Sequence, residues 1–157
     1  MKPATVSELK KQLVLLDHDD LLDACLRLAK FKADNKSLLT YLLLKSHDEL
    51  QYANEVCDEI NEMLAESKTL HRKTLRRIVR WFEKQIRYSG DKETELQIRI
   101  HFCRSLIQTR FDYSRCRVTS NLFASQVRKI EKSIDKVHPD LQYDFRVQME
   151  GFDRVGR

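Results

Sequence analysis

The sequence predicts an all-α protein of seven to eight helices. They are expected either as stacked antiparallel α-hairpins, in the manner of an α-solenoid, or as a compact helical bundle. Three observations carry this expectation. Only 3 Gly and 2 Pro occur in 157 residues, too few for the tight turns of a sheet protein. The composition is 41% apolar and 34% charged, with leucine, lysine, glutamate and arginine prominent, all of them good helix formers. Most apolar residues recur at intervals of three and four, the period of a helix face. The length fits one domain, placed at residues 1–152, with a frayed tail at 153–157.

The first helix is expected to start at Thr5 or Ser7, with Leu9, Leu13 and Leu16 on one face. The run Asp17-His18-Asp19-Asp20 breaks it and caps a second helix reaching Lys32. Leu21, Leu22, Cys25, Leu26, Leu28 and Ala29 give that helix a wide apolar stripe. After a polar turn at 32–36, a third helix over 37–46 is apolar nearly all round, and is therefore expected to be the most buried element. A fourth, over 48–65, gathers Leu50, Ala53, Cys57, Ile60 and Leu64 on its inner face.

The fifth helix, capped by Ser67 or Thr69, carries Leu75, Ile78, Val79, Phe82 and Ile86 towards the core. Ser89-Gly90-Asp91 reads as a stop, a left-handed cap and a new start. The sixth helix, over 92–108, contains both helical spacing (Leu96, Ile100, Cys103, Ile107) and strict alternation (Leu96, Ile98, Ile100, Phe102). Its length and lack of Gly and Pro decide for helix. The seventh is expected from Tyr113 to Val137, with Thr119-Ser120-Asn121 as a point of kinking or splitting. His138-Pro139-Asp140 ends it. The segment 141–152 fits a short helix, or a strand pairing with a partner chain. Helix pairs beginning near residues 5, 36, 69 and 113 suggest the stacked hairpins.

Charge is the most unequal property along the chain. The net charge is +5, yet residues 47–67 carry −7 and residues 68–88 carry +7. On a helical wheel, Lys73, Arg76, Arg77, Arg80, Lys84 and Arg87 form a row pointing away from the core, and Trp81, the only tryptophan, borders it. Such a row suits an anionic ligand, with Trp81 as an anchor or stacking platform. The acidic fourth helix is its complement, and pairs such as Glu59 with Arg72 or Arg76 would partly neutralise it. That complement shifts the expected partner from nucleic acid towards an acidic protein segment or self-association, with nucleic acid kept as the alternative.

A second, catalytic reading rests on histidine and aspartate. His18-Asp19 and His47-Asp48 both lie near helix ends, and Asp112 follows. The stretch LLLKSHDEL resembles the apolar approach and His-Asp pair of the HD-class metal-dependent phosphohydrolases. That resemblance implies a metal held by His18, His47, Asp48 and Asp112 over a phosphate substrate. The chain departs from the pattern in having Glu49-Leu50 where small residues normally follow. No glycine-rich phosphate loop and no HExxH occurs, so no cofactor is expected. Cys25, Cys57, Cys103 and Cys116 are unevenly spaced and read as reduced, largely buried thiols of a cytoplasmic protein. The longest near-continuous apolar run, Leu38–Leu44, is interrupted by Thr40 and too short for a membrane span. Together these features predict a non-catalytic binding or scaffolding module.

Overall fold

The computed structural model describes residues 2–66, 71–109, 112 and 116–152. The expectations placed on Ser67, Thr69, Tyr113 and the 153–157 tail lie outside these residues. The fold is all-helical, with eight helices among the described residues: α1 Val6–Leu13, α2 His18–Phe31, α3 Ala33–Leu44, α4 Glu49–Ala65, α5 Arg72–Ser89, α6 Lys92–Gln108, α7 Arg117–Ile134 and α8 Pro139–Gln148. They divide into two compact units, Met1–Leu44 and Lys45–Arg157.

In the first unit, α1 begins with a reciprocal capping box. The Glu8 amide donates to Thr5 Oγ1 at 3.3 Å, and the Thr5 amide donates to Glu8 Oε2 at 2.8 Å. Asp17 caps α2 by accepting from the Asp20 amide at 2.8 Å. α2 and α3 pack on one another, and Asn35 Nδ2 donates to the Leu28 carbonyl at 2.9 Å across the turn between them. The expected turn over 32–36 contracts to Lys32, whose extended backbone separates the two helices. The third helix is not the most buried element. Tyr41 is its only buried residue, and Leu42, Leu43 and Leu44 are exposed. An apolar surface all round a helix marks what it would bury, and within the first unit α2 covers only part of it.

The core of the second unit is built around α6. α4 meets α5 and α6, α5 meets α6 and α7, α6 meets α7, and α7 meets α8. This is the contact scheme that stacked helix pairs share with a compact bundle. α6 buries Leu96, Ile98, Ile100, Phe102, Cys103 and Leu106. Neighbours on several sides explain its alternating pattern: Leu96, Ile98, Ile100 and Phe102 point outward in more than one direction and are all covered, while the expected Ile107, near the end of the helix, is exposed. The Phe82 and Phe102 rings meet at 5.0 Å, tilted by 52°. Full burial of one such side chain contributes about 1.5–3 kcal/mol.

On α4, Tyr52 and Val56 join the expected Ala53, Cys57, Ile60 and Leu64 in the core, while Leu50 is exposed. Glu49 Oε2 accepts from Ser89 Oγ at 2.7 Å and from Thr94 Oγ1 at 2.8 Å, tying the start of α4 to the α5–α6 turn. That turn follows the expected punctuation. Gly90 adopts φ 71°, a left-handed conformation that a side chain would strain, and its amide donates to the Ile86 carbonyl at 2.9 Å. Asp91 then caps α6 through the Thr94 amide at 2.8 Å. α7 runs unbroken through Thr119-Ser120-Asn121. The segment after Pro139 is helical, and Phe152 beyond it is buried with its ring 6.1 Å from Phe123.

Candidate anion-binding face

α5 places its side chains by simple helical spacing. Leu75, Ile78, Phe82 and Ile86 are buried, so the opposite face is turned outward. Lys73, Arg76, Arg77, Arg80 and Arg87 are exposed, while Trp81 and Lys84 are half-buried at the border of the row. Arg80 Nε donates to the Arg76 carbonyl at 3.3 Å, which lays the Arg80 side chain back along the helix.

The only acid of α5, Glu83, does not face this row. Its Oε1 accepts from Arg99 Nη1 at 2.7 Å and from Lys129 Nζ at 2.6 Å, and its Oε2 accepts from Arg99 Nη2 at 3.1 Å. Arg99, on α6, is almost fully buried. It also donates from Nε to Glu95 Oε1 at 2.9 Å and from Nη1 to the buried Gln126 Oε1 at 2.6 Å. Lys92 closes the cluster on Glu95 Oε2 at 2.7 Å. Five charged groups and one amide thus join α5, α6 and α7. Burial alone would raise the Glu83 carboxyl, but the hydrogen bonds and charges of Arg99 and Lys129 override it and hold the pKa at about 2. Burial acts upward on Glu95 too, and Lys92 and Arg99 pull it below its ordinary value.

This cluster was not anticipated. Its signal was present in a single arginine set among the apolar residues of LQIRIHF, with a glutamate four positions earlier. A charge at the centre of an apolar helix needs a buried partner.

Two acids of α4 take other partners. Glu55 Oε2 pairs with Lys45 Nζ at 2.7 Å, and Glu49 binds the two hydroxyls described above. The expected pairing of Glu59 with Arg72 or Arg76 is not formed. No described acid lies within ion-pair distance of Lys73, Arg76, Arg77, Arg80 or Arg87. The two helices therefore carry adjacent stripes of opposite sign, joined at their apolar faces and not through their charges.

Among the described residues, no three His, Cys, Asp or Glu side chains are placed to hold a metal ion. Asp48 is engaged as the cap of α4 through the Gln51 amide at 2.8 Å, and His18 is the first residue of α2. Asp112 is described but belongs to no such cluster. Local capping thus accounts for the His47-Asp48 dipeptide better than the phosphohydrolase resemblance does.

The thiols divide by environment. Burial pushes Cys57 and Cys103 up to about 12, which disfavours the thiolate. Cys116 is lowered, first by the Val118 and Thr119 backbone amides at the start of α7. His101 lies half-buried in a groove of about 680 Å³ between α4, α6 and α8. Burial lowers its pKa, Arg104 adds to the effect, and Asp58 and the Cys57 backbone oppose it. The polar groups there bond one another: His101 Nε2 with Asn61 Oδ1 at 2.8 Å, Gln97 Nε2 to Asn54 Oδ1 at 2.7 Å, and Arg104 Nη2 to the Gln148 carbonyl at 3.1 Å.

Comparison with known proteins found no match to a family model, a curated protein or a solved structure. None of the described helices is long and apolar enough to cross a membrane. The face on α5 therefore stands on its own geometry.

Proposed function

We propose that the chain is a non-catalytic helical binding or scaffolding module whose α5 face takes an acidic protein segment. One observation carries the reading. Lys73, Arg76, Arg77, Arg80 and Arg87 are exposed without a described acid in ion-pair range, while the sole acid of the helix is turned inward to Arg99 and Lys129. A face of one sign attracts acidic segments over distance and orients them on arrival. Trp81 at its border, half-buried, supplies an apolar anchor whose cost of ordering is already largely met by the fold.

The test uses a poly-glutamate peptide and a single-stranded oligonucleotide as probes, with the fluorescence of Trp81 as the reporter. The peptide is expected to bind, and the Arg76→Glu/Arg80→Glu variant is expected to lose at least about tenfold in affinity, a change of about 1.4 kcal/mol. Trp81→Ala, followed by calorimetry, is expected to weaken the peptide complex at moderate salt. Preferential oligonucleotide binding with a steep log-linear loss in salt would replace the acidic segment by nucleic acid. Failure of the wild-type chain to bind either probe at low salt would end the anion-binding reading.

A further inference from the structure

A different surface, in the first unit, carries an inference of its own. Most of the exposed large apolar side chains fall before Lys45: among them Leu9, Leu13 and Leu16 near α1, and Leu22, Leu26 and Phe31 on α2. Soluble monomers rarely expose contiguous apolar patches beyond a few hundred Å² (roughly 300–600 Å² for the largest). This surface calls for an occupant, and the residue order on α2 points to one.

Asp19, Leu22, Leu26 and Lys30 follow the i, i+3, i+7, i+11 spacing, so they form a single flank of α2. All four are exposed, with Leu22 at 49% and Leu26 at 43%. Asp19 and Lys30 form no ion pair among the described residues. The flank thus reads acid, leucine, leucine, base. A second α2 laid antiparallel reads base, leucine, leucine, acid. The midpoint of α2 falls between Ala24 and Cys25, and reflection about it exchanges Asp19 with Lys30. A two-fold interface requires this kind of self-complementarity, in which residue i meets j and j meets i.

We propose that this flank of α2 pairs with the same flank of a second copy of the chain, antiparallel about a two-fold axis. Leu22 and Leu26 of each copy interleave at the centre, and Asp19 of one copy faces Lys30 of the other at both ends. A purely acidic or basic partner would find only half of the charged positions favourable. A lipid surface is disfavoured by the acids of the helix, Asp19, Asp20 and Asp23, since interfacial helices carry a polar face rich in Lys and Arg. A stable dimer covers about 800 Å² on each partner. Of the apolar side chains of α2, Leu22 and Leu26 lie on this flank, and their exposed parts supply on the order of 150 Å².

The experiment is sedimentation equilibrium of the full chain, with circular dichroism as the folding control. The wild type is expected to approach twice the chain mass as concentration rises, and Leu22→Lys/Leu26→Lys to remain monomeric with its helicity kept. Two surface variants keep the proposal falsifiable even if that one unfolds. Asp19→Lys and Lys30→Asp each set like charges opposite one another, so each alone is expected to weaken the dimer by about tenfold or more. Mixed together they regain opposite charges at both ends, and the heterodimer is expected to recover the wild-type affinity within about threefold. A wild type that stays monomeric at every concentration overturns the proposal. So does a dimer indifferent to the single charge swaps, a mixture that fails to recover, or a monomer that instead floats with anionic phospholipid vesicles.

Discussion

Glu83→Gln isolates the charge of the buried cluster while keeping its shape and its capacity to accept hydrogen bonds. In the folded chain the Glu83 pKa is about 2, against 4.5 for the ordinary carboxyl. Each unit of difference corresponds to about 1.4 kcal/mol, so ionised Glu83 stabilises the fold by about 3 kcal/mol. The folded pKa is depressed, so this stability is fully present above the unfolded pKa of 4.5 and is lost as pH falls towards about 2. Urea unfolding of wild type and variant across pH 2–7 measures the difference directly. The variant is expected to be less stable by about 3 kcal/mol at pH 7, a large share of the 5–15 kcal/mol typical of a domain. The gap is expected to narrow below pH 4.5 and nearly close at pH 2. Glu95, also lowered, weakens both proteins on acidification and so cancels to first order. A gap that stays constant from pH 7 to pH 2 would refute the reasoning, because the loss would then come from packing and not from the carboxylate charge.

Two further outcomes follow from the same core. Phe82→Ala removes a ring that is fully buried and packed at a tilt against Phe102, and is expected to cost about 3–5 kcal/mol by urea denaturation. His101 is expected to titrate below the ordinary imidazole value of 6.5 in a nuclear magnetic resonance titration, and Asp58→Asn to lower it further by removing the opposing charge. Its folded pKa is depressed, so its contribution to stability is present above 6.5 and is lost as pH falls through the folded value.

Local signals were the most legible in the sequence. Asp17 and Asp91 cap helices as their positions suggested, and Gly90 is the left-handed stop. These depend on a few adjacent residues and on backbone geometry that no distant contact needs to supply. The inner face of α5 was legible for the same reason, since one face of one helix sets it. Burial was less so. Leu38–Leu44 and Leu96–Leu106 are both rich in apolar residues, yet α6 is covered and α3 mostly is not. Hydrophobicity states that a surface requires cover, and the topology decides whether the same chain provides it. The Arg99 cluster escaped for a related reason: Glu83, Arg99 and Lys129 are separated along the chain and meet only when α5, α6 and α7 do.

The inward turn of Glu83 links the core to the outer face. An outward carboxylate at this point of α5 would lie three positions after Arg80 and four before Arg87, the spacings at which helix charges neutralise one another. Placed inward, it offsets Arg99, whose buried charge would otherwise be costly between α6 and α7, and also pairs with the exposed Lys129. One carboxylate therefore has two structural consequences. It allows a buried arginine to join three helices, and it leaves the row from Lys73 to Arg87 with a single sign. The basic character of that row is a product of how the core is paired, more than of the number of arginines in the helix. Counting charges along the segment gives +7, but the distribution arises because the only −1 is on the inside.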